Sequence, residues 1–188
     1  MSATAAATPC SLRMLRLMAN YHCQANRNII KSVPAPQNAV FPVPIGFGSI
    51  LATSNHIAFA DELWLDRITC GGNDKIDYIY NNTDEKIEDK LWFDLTSGDW
   101  EKTSQLLIQN SEALRHYVEC EVKSEEMLHE VCEYKSTDGA AKTIPRGFGL
   151  MHIFNHGTEH RAQINSSLMY MGFPIPPLDM TYFPGLEL

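Results

Sequence analysis

The sequence predicts an all-α protein, an antiparallel four-helix bundle, and it allows a short β-hairpin between the third and fourth helices. Three observations support this fold class. Four segments repeat apolar residues at the three- and four-residue steps of an α-helix. The chain has 188 residues, enough for one domain with one sizeable core. Its composition, 44% hydrophobic and 20% charged, is that of a globular protein.

The first two predicted helices are separated by a proline-rich connection. The first helix spans residues 11–32, and residues 1–10 before it are predicted to form a disordered tail. Residues 33–48 contain four prolines, which exclude a helix interior, and a connection of this length often covers a site. The second helix begins after Ser49 as its N-cap and ends at Gly71-Gly72. Residues 11–188 together are predicted to form a single domain.

The third helix follows an acidic segment, residues 73–97, in which the sequence predicts no element. The tetrapeptide Thr96-Ser97-Gly98-Asp99 has the T-x-x-D pattern of a capping box, which would open a helix that runs to about Glu121.

The hairpin and the fourth helix complete the predicted bundle. Residues 127–135 and 140–144 flank a turn at Asp138-Gly139 and could pair as a hairpin. Pro145 then precedes a helix over residues 147–171, and the prolines that follow cannot continue it.

Charge and cysteine usage exclude several classes of function. The formal net charge is −8, and residues 61–138 hold 20 acidic against 8 basic residues, which argues against a nucleic-acid groove. No apolar run approaches the roughly 20 residues of a membrane helix. The five cysteines form no CxxC pair, which favours reduced thiols in an intracellular protein. We therefore expect a cytoplasmic protein that acts on a small molecule.

The predicted chemistry depends on three histidines. His156 and His160 are four residues apart on one helix face and can chelate one divalent ion. Both point inward, because His156 follows Ile153 by three residues and His160 precedes Ile164 by four. His56 lies on the inward stripe of the second helix, so three imidazoles from two helices could form a site with an open position. The alternative is a set of core histidines satisfied by neighbouring carbonyls or hydroxyls.

A fourth histidine lies one turn before this pair. His152 is turned by about 80° from His160 around the helix, so the three histidines of this helix could not comfortably bind one ion. We interpret His152 as a residue that packs beside the ligands, with replacement of one ligand as the lesser alternative.

Three groups of residues match a known family pattern: His56 with Ala60, Leu63-Trp64 and Arg67; the motif N-H-G-T-E-H-R-A-Q at 155–163; and the closing signature of Gly172, Pro174, Pro176 and Leu178-Asp179. On these residues the chain resembles the DinB-like superfamily of metal-dependent helical bundles. The resemblance implies a four-helix bundle that binds a divalent metal through His56, His156 and His160. It also implies relatedness to transferases and isomerases that use low-molecular-weight thiols, and a homodimer.

Two departures from the family pattern concern further residues. Where relatives often have two adjacent histidines, this chain has Glu159-His160, which adds a carboxylate beside the site. In the first helix, His22 and Gln24 replace the usual Asn and Trp. His22 faces inward and could be a fourth ligand, an acid or base, or a side chain that hydrogen-bonds a buried partner.

The leading functional prediction is metal-dependent thiol transfer. Zn²⁺ or Ni²⁺ held by the three histidines would bind a thiol as thiolate for attack on an electrophile, below the roof formed by residues 33–48. No catalytic residue is assigned, since Cys23, the nearest cysteine, has no evident base. The alternatives are a metal-dependent hydrolase and a non-enzymatic bundle with a structural metal or a ligand-binding role.

Overall fold

The computed structural model describes residues 10–69, 92–136 and 139–183, and it confirms the all-α bundle with a short hairpin. The elements, in chain order, are α1 (Cys10–Ser32), α2 (Pro36–Ala39), α3 (Ile50–Ile68), α4 (Trp100–His116), a π-helical turn (Tyr117–Glu121), α5 (Glu126–His129), β1 (Val131–Lys135), β2 (Ala141–Pro145), α6 (Arg146–Tyr170) and a 3₁₀ turn (Met180–Tyr182). Cys10, the last residue of the predicted tail, is the first residue of α1, and residues 1–9 lie outside the described part.

Four long helices form the bundle. α1 and α3 each pack against both α4 and α6, so α1 and α3 lie on a diagonal. α3 and α6 run antiparallel. The start of α6 lies beside the end of α3, where the Arg146 Nε donates to the Ile68 carbonyl at 3.0 Å. Among the described residues, no helix combines the length and apolar character needed to cross a membrane.

The N-cap of α3 is the residue predicted from the sequence, whereas the N-cap of α4 is not. Ser49 caps α3 as predicted, since its hydroxyl accepts from the Ala52 amide at 3.0 Å. The predicted capping role of Thr96 is wrong: Asp99 caps α4 by accepting from the Lys102 amide, and the Thr96 hydroxyl pairs with the Thr103 hydroxyl. The turn residues Ser97 and Gly98 and the cap Asp99 therefore lie between Thr96 and the first residue of α4.

The proline-rich connection contains one short helix that the sequence analysis does not predict. α2 begins at Pro36, a first-turn position where the missing amide hydrogen leaves no bond unmade. Farther along, Gly46 and Gly48 have positive φ angles of 59° and 81°, and they bend the chain around Phe47.

The hairpin pairs β1 and β2 antiparallel, with Cys132 opposite Ile144, and both side chains are buried. The first strand begins later than predicted because residues 126–129 form α5. Gly139 has a φ of +82°, as a turn requires, while residues 137–138 lie outside the described part. The acidic segment over residues 70–91 lies outside it as well.

The described core contains two large apolar clusters at opposite ends of the bundle. The first cluster includes Leu12, Leu15, Ile68, Leu114, Leu150, Ile153 and Phe154. The second cluster includes Ile29, Ile50, Leu51, Ile57, Leu107, Ile164 and Leu168. Between them, α1, α3 and α6 place buried polar side chains, and the histidines of interest lie at this same level of α3 and α6.

Candidate metal centre

The structure brings His56, His156 and His160 together on the face where α3 packs against α6. The Nε2 atom of His156 lies 3.1 Å from the Nε2 of His56 and 3.1 Å from that of His160. Each of the three residues offers one ring nitrogen, and these nitrogens all lie within 4.8 Å of one another. The group could therefore hold a metal ion. His56 reaches it from α3, and the four-residue spacing on α6 places the other two on successive turns.

Gln163 orients the His160 ring. The Nδ1 of His160 donates to the side-chain oxygen of Gln163 at 2.9 Å. Because that nitrogen carries the hydrogen, the Nε2 lone pair is left pointing at His156. A partner on the far nitrogen is characteristic of metal-binding histidines, since it sets both tautomer and ring direction.

The loop after α2 packs tightly against this part of the site. A Cβ at Gly46 would lie 2.7 Å from the Thr53 hydroxyl and 3.0 Å from the Gln163 side-chain oxygen. The Phe47 amide donates to the same Thr53 hydroxyl at 3.3 Å. Glycine at position 46 therefore lets the loop approach Gln163 closely while it directs Phe47 toward the histidines.

Two aromatic side chains enclose His56. The Phe47 ring lies 4.1 Å from the His56 ring and 5.5 Å from that of His160, centroid to centroid. Trp92 meets His56 edge to face at 4.6 Å. Phe47 belongs to the loop over residues 33–48 that is predicted to cover the site, whereas Trp92 comes from the segment before α4.

Burial keeps His56 and His156 neutral. Burial, with the neighbouring His160 as a smaller cause, lowers the pKa of His56 to about 3. The pKa of His156 is lowered to about 3, again mainly by burial and then by His160 and His56. A neutral imidazole has a free lone pair, which is the form that binds a metal ion.

The donor set fits a divalent cation. Three neutral nitrogens meet at hydrogen-bonding distance, yet the His160 Nε2 has only a lone pair, and a single hydrogen on the His156 Nε2 can serve one of its two contacts well. A shared cation would satisfy all three lone pairs at once. The His56 Nδ1 is buried and has no hydrogen-bond partner, so the two aromatic rings hold this imidazole in place.

The other predicted residues occupy different positions. The His152 ring packs at a tilt against the Trp64 ring, 4.5 Å between centroids, and lies 5.7 Å from the His156 ring, outside the three-residue group. Burial, and then Arg67, lower its pKa. Glu159 is exposed on α6.

His22 lies in the core, and both of its ring nitrogens have protein partners. The Nε2 is 2.8 Å from the Asp61 carboxylate, and the Nδ1 is 3.0 Å from the Arg161 guanidinium. Of the three roles that the sequence leaves open for His22, the structure shows a hydrogen bond to buried partners.

The sequence analysis missed the roles of Gln163 and Trp92. Gln163 could have been found from its spacing, since it follows His160 by three residues on one helix face. Trp92 gives no such signal, because its contact with His56 joins residues far apart in the chain.

Comparison with known proteins identifies the family of the chain. The family model described as "DinB family" matches residues 14–187, so the chain belongs to the DinB family. Neither the search of curated proteins nor the search of solved structures found a match.

Proposed function

We propose that this member of the DinB family holds a divalent ion, Zn²⁺ or Ni²⁺, between His56, His156 and His160, and that it transfers a low-molecular-weight thiol to an electrophile. The observation that carries the proposal is the convergence of three neutral imidazole nitrogens from two helices. A bound ion would lower the pKa of a thiol and stabilise the thiolate at neutral pH.

The ligand set suits an anionic co-substrate. No carboxylate belongs to the three-residue group, so the ion's charge would be left uncompensated by its protein ligands. Three protein ligands also leave room for a further donor, which is the pattern of catalytic sites. In this site Gln163 orients the ligand His160. Phe47 and Trp92 exclude water on one side.

Two of the protein's described thiols are unsuited to the nucleophilic role. Cys23 is buried and donates to the Ser111 carbonyl at 3.0 Å, and burial raises its pKa to about 12. Cys132 is buried as well, and its thiol donates to the Ile68 carbonyl. An external thiol is therefore the better candidate: it would lose its proton to solvent, form the sulfur–carbon bond and expel the leaving group with its electron pair.

Elemental analysis of protein purified without a histidine tag tests the metal centre. We expect close to one Zn or Ni per chain, near zero in His160→Ala, and an unchanged content in the control His129→Ala, which alters an exposed histidine of α5. Equal metal content in all three proteins would refute the site assignment.

Turnover assays then test the chemistry. We expect the metal-loaded protein to consume chlorodinitrobenzene only when a thiol such as glutathione or cysteine is present, and His160→Ala to lose this activity. Ester hydrolysis without thiol would favour a metal-dependent hydrolase instead. Unfolding on metal removal, with no conjugation for any thiol, would favour a structural metal.

A cavity on the other flank of α6 favours a second candidate, the binding of a small apolar ligand. It has a volume of about 730 Å³, and four of its lining residues are methionines, Met14, Met18, Met151 and Met180. Methionine side chains adapt to irregular apolar ligands. None of the three histidines lines it, so thermal stabilisation of His160→Ala by an apolar dye would identify this role separately from metal binding.

A further inference from the structure

A layer of polar side chains crosses the middle of the bundle. Four residues form it, and we call them the polar layer: His22 and Asn26 on α1, Asp61 on α3 and Arg161 on α6. Each is at most 1% exposed. Along α1 the layer separates Ala19 of the first apolar cluster from Ile29 of the second, and along α6 it separates Phe154 from Ile164.

Hydrogen bonds connect all four members. The Arg161 guanidinium donates to the His22 Nδ1 at 3.0 Å and to the Asn26 side-chain oxygen at 3.1 Å. Because a guanidinium only donates, the His22 Nδ1 must accept, so the hydrogen is on the Nε2 and points to the Asp61 carboxylate at 2.8 Å. A neutral imidazole thus links the carboxylate of α3 to the guanidinium of α6, and the two buried charges balance.

Stability does not explain such a layer. Buried ionic groups lose their hydration, and well-packed apolar replacements are often as stable or more stable. The best-attested use of buried polar residues is to select one register among several that apolar packing would tolerate. Here the hydrogen bonds join α1 to α3 across the diagonal of the bundle and join α1 to α6, so sliding any of these helices would break them.

The layer lies at the level of the three histidines. Arg161 directly follows His160, and Asp61 follows His56 by five residues, little more than one helical turn. Gly157, between His156 and His160, allows the close approach: a Cβ there would lie 2.5 Å from the His22 ring and 2.9 Å from an Arg161 nitrogen. Glycine in the N-H-G-T-E-H motif is therefore required by the layer, not by the metal ligands themselves.

We propose that Asp61, His22 and Arg161 are positioning residues: the polar layer holds α1, α3 and α6 in the register that brings His56 to His156 and His160. This inference rests on the proposed metal site for its functional meaning. Its structural content, one helix register in the metal-free protein, can be tested independently of any metal.

The decisive variant makes the layer apolar, with His22→Leu, Asn26→Leu, Asp61→Leu and Arg161→Met combined. We expect a folded helical protein, at least as resistant to heat as the parent, whose affinity for Zn²⁺ is weakened roughly tenfold to a hundredfold. The visible spectrum of its Co²⁺ complex should change, because the ligands no longer meet in one geometry. The control Ser111→Ala removes a buried hydroxyl of α4, which carries none of the three histidines, and should preserve both affinity and spectrum.

A single substitution decides the question if the combined variant does not fold. Asp61→Asn preserves the shape but removes the charge that balances Arg161, and we expect weaker Zn²⁺ binding, by roughly tenfold, and an altered Co²⁺ spectrum. Wild-type affinity together with a wild-type spectrum in this variant would overturn the inference.

Imidazole NMR of metal-free protein separates this inference from the proposed function. The wild type should show one set of signals for His56, His156 and His160, and the layer variant more than one set, because several registers interconvert slowly. If the wild type binds no metal, the proposed metal centre is refuted. The number of imidazole signals still tests whether the polar layer fixes the helix register. A single wild-type-like set in the variant would refute the role in register.

Discussion

His22 and His160 are both buried histidines, with exposed fractions of 1% and 7%, yet their surroundings prepare them for different roles. Both ring nitrogens of His22 bond to the protein, to Asp61 and to Arg161. Only one ring nitrogen of His160 has a conventional acceptor, Gln163, and the other points at a second imidazole. The number of nitrogens already satisfied by the protein, more than burial, therefore distinguishes a structural histidine from a candidate ligand.

The two regions also differ in charge. The polar layer contains one carboxylate and one guanidinium, which balance across a neutral imidazole. The histidine group contains three imidazoles and no carboxylate, and burial opposes protonation of His56 and His156. The charges of the polar layer balance without any ligand, whereas the histidine group would gain a positive charge only from a bound cation. Four experiments test this difference between the polar layer and the histidine group.

The largest effect on stability is expected from the polar layer. Arg161→Met leaves the Asp61 carboxylate buried without its counter-charge, and we expect it to lower the free energy of unfolding by about 3–5 kcal/mol. Urea unfolding in the presence of a chelator measures this. The matched control Glu159→Met changes an exposed position of the same helix and should cost less than about 0.5 kcal/mol. Equal costs in the two variants would show that the layer's charges are not coupled.

Added metal should stabilise the folded protein only when the three histidines are intact. At a free metal concentration of one hundred times the dissociation constant, binding to the folded state alone adds about 2.7 kcal/mol to the free energy of unfolding. We expect this gain in the wild type and its absence in His56→Ala, measured as the metal-induced change in urea midpoint. A full gain in His56→Ala would place the metal elsewhere.

The contact between the two regions can be tested at Gly157. Gly157→Ala introduces a Cβ within 2.5 Å of the His22 ring, and overpacking of this kind costs about 1–3 kcal/mol. Ala162→Ser, on the exposed side of the same helix, serves as the control. We expect Gly157→Ala also to weaken metal binding, because the displaced ring disturbs the register of α6. Wild-type stability in Gly157→Ala would mean that the helices separate without cost.

Acid should weaken the metal-free protein through the histidine group. The folded-state pKa values of His56 and His156, about 3, lie below the ordinary 6.5, so between these values the unfolded chain binds more protons. The contribution is fully present above pH 6.5 and is lost as the pH falls toward 3, by at most about 1.4 kcal/mol per pH unit for each histidine.

His56→Asn isolates the contribution of His56 to this pH dependence. The variant removes one of the two groups, so its stability should fall less steeply than that of the wild type as the pH drops from about 7 to about 5. Chemical denaturation with a chelator at several pH values measures both slopes, and His129→Ala serves as the control. Parallel slopes for wild type and His56→Asn would show that His56 gains its proton in the folded state as readily as in the unfolded chain.

Much of the site could be read from the sequence because its key spacings are local. His156 and His160 share a helix face at a four-residue step. The apolar stripe around His56 predicts that this residue faces the bundle core from the second predicted helix. Ser49 could be recognised as a cap because capping depends on three or four adjacent residues. The same local logic misplaced the start of α4, since Thr96 and Asp99 both fit a cap and the turn at Ser97-Gly98 decided between them.

The class of fold, the family pattern and the three histidines that could meet were predictable without a structure, because helical periodicity and short motifs are properties of neighbouring residues. Which imidazole nitrogens are already occupied became clear only from the packing of the helices. That outcome depends on Asp61, Arg161 and Gln163, and the first two reach His22 from other parts of the chain. The bundle's packing brings them into range, and a hydrogen bond forms only within about 3 Å, so sequence spacing carries no record of these contacts.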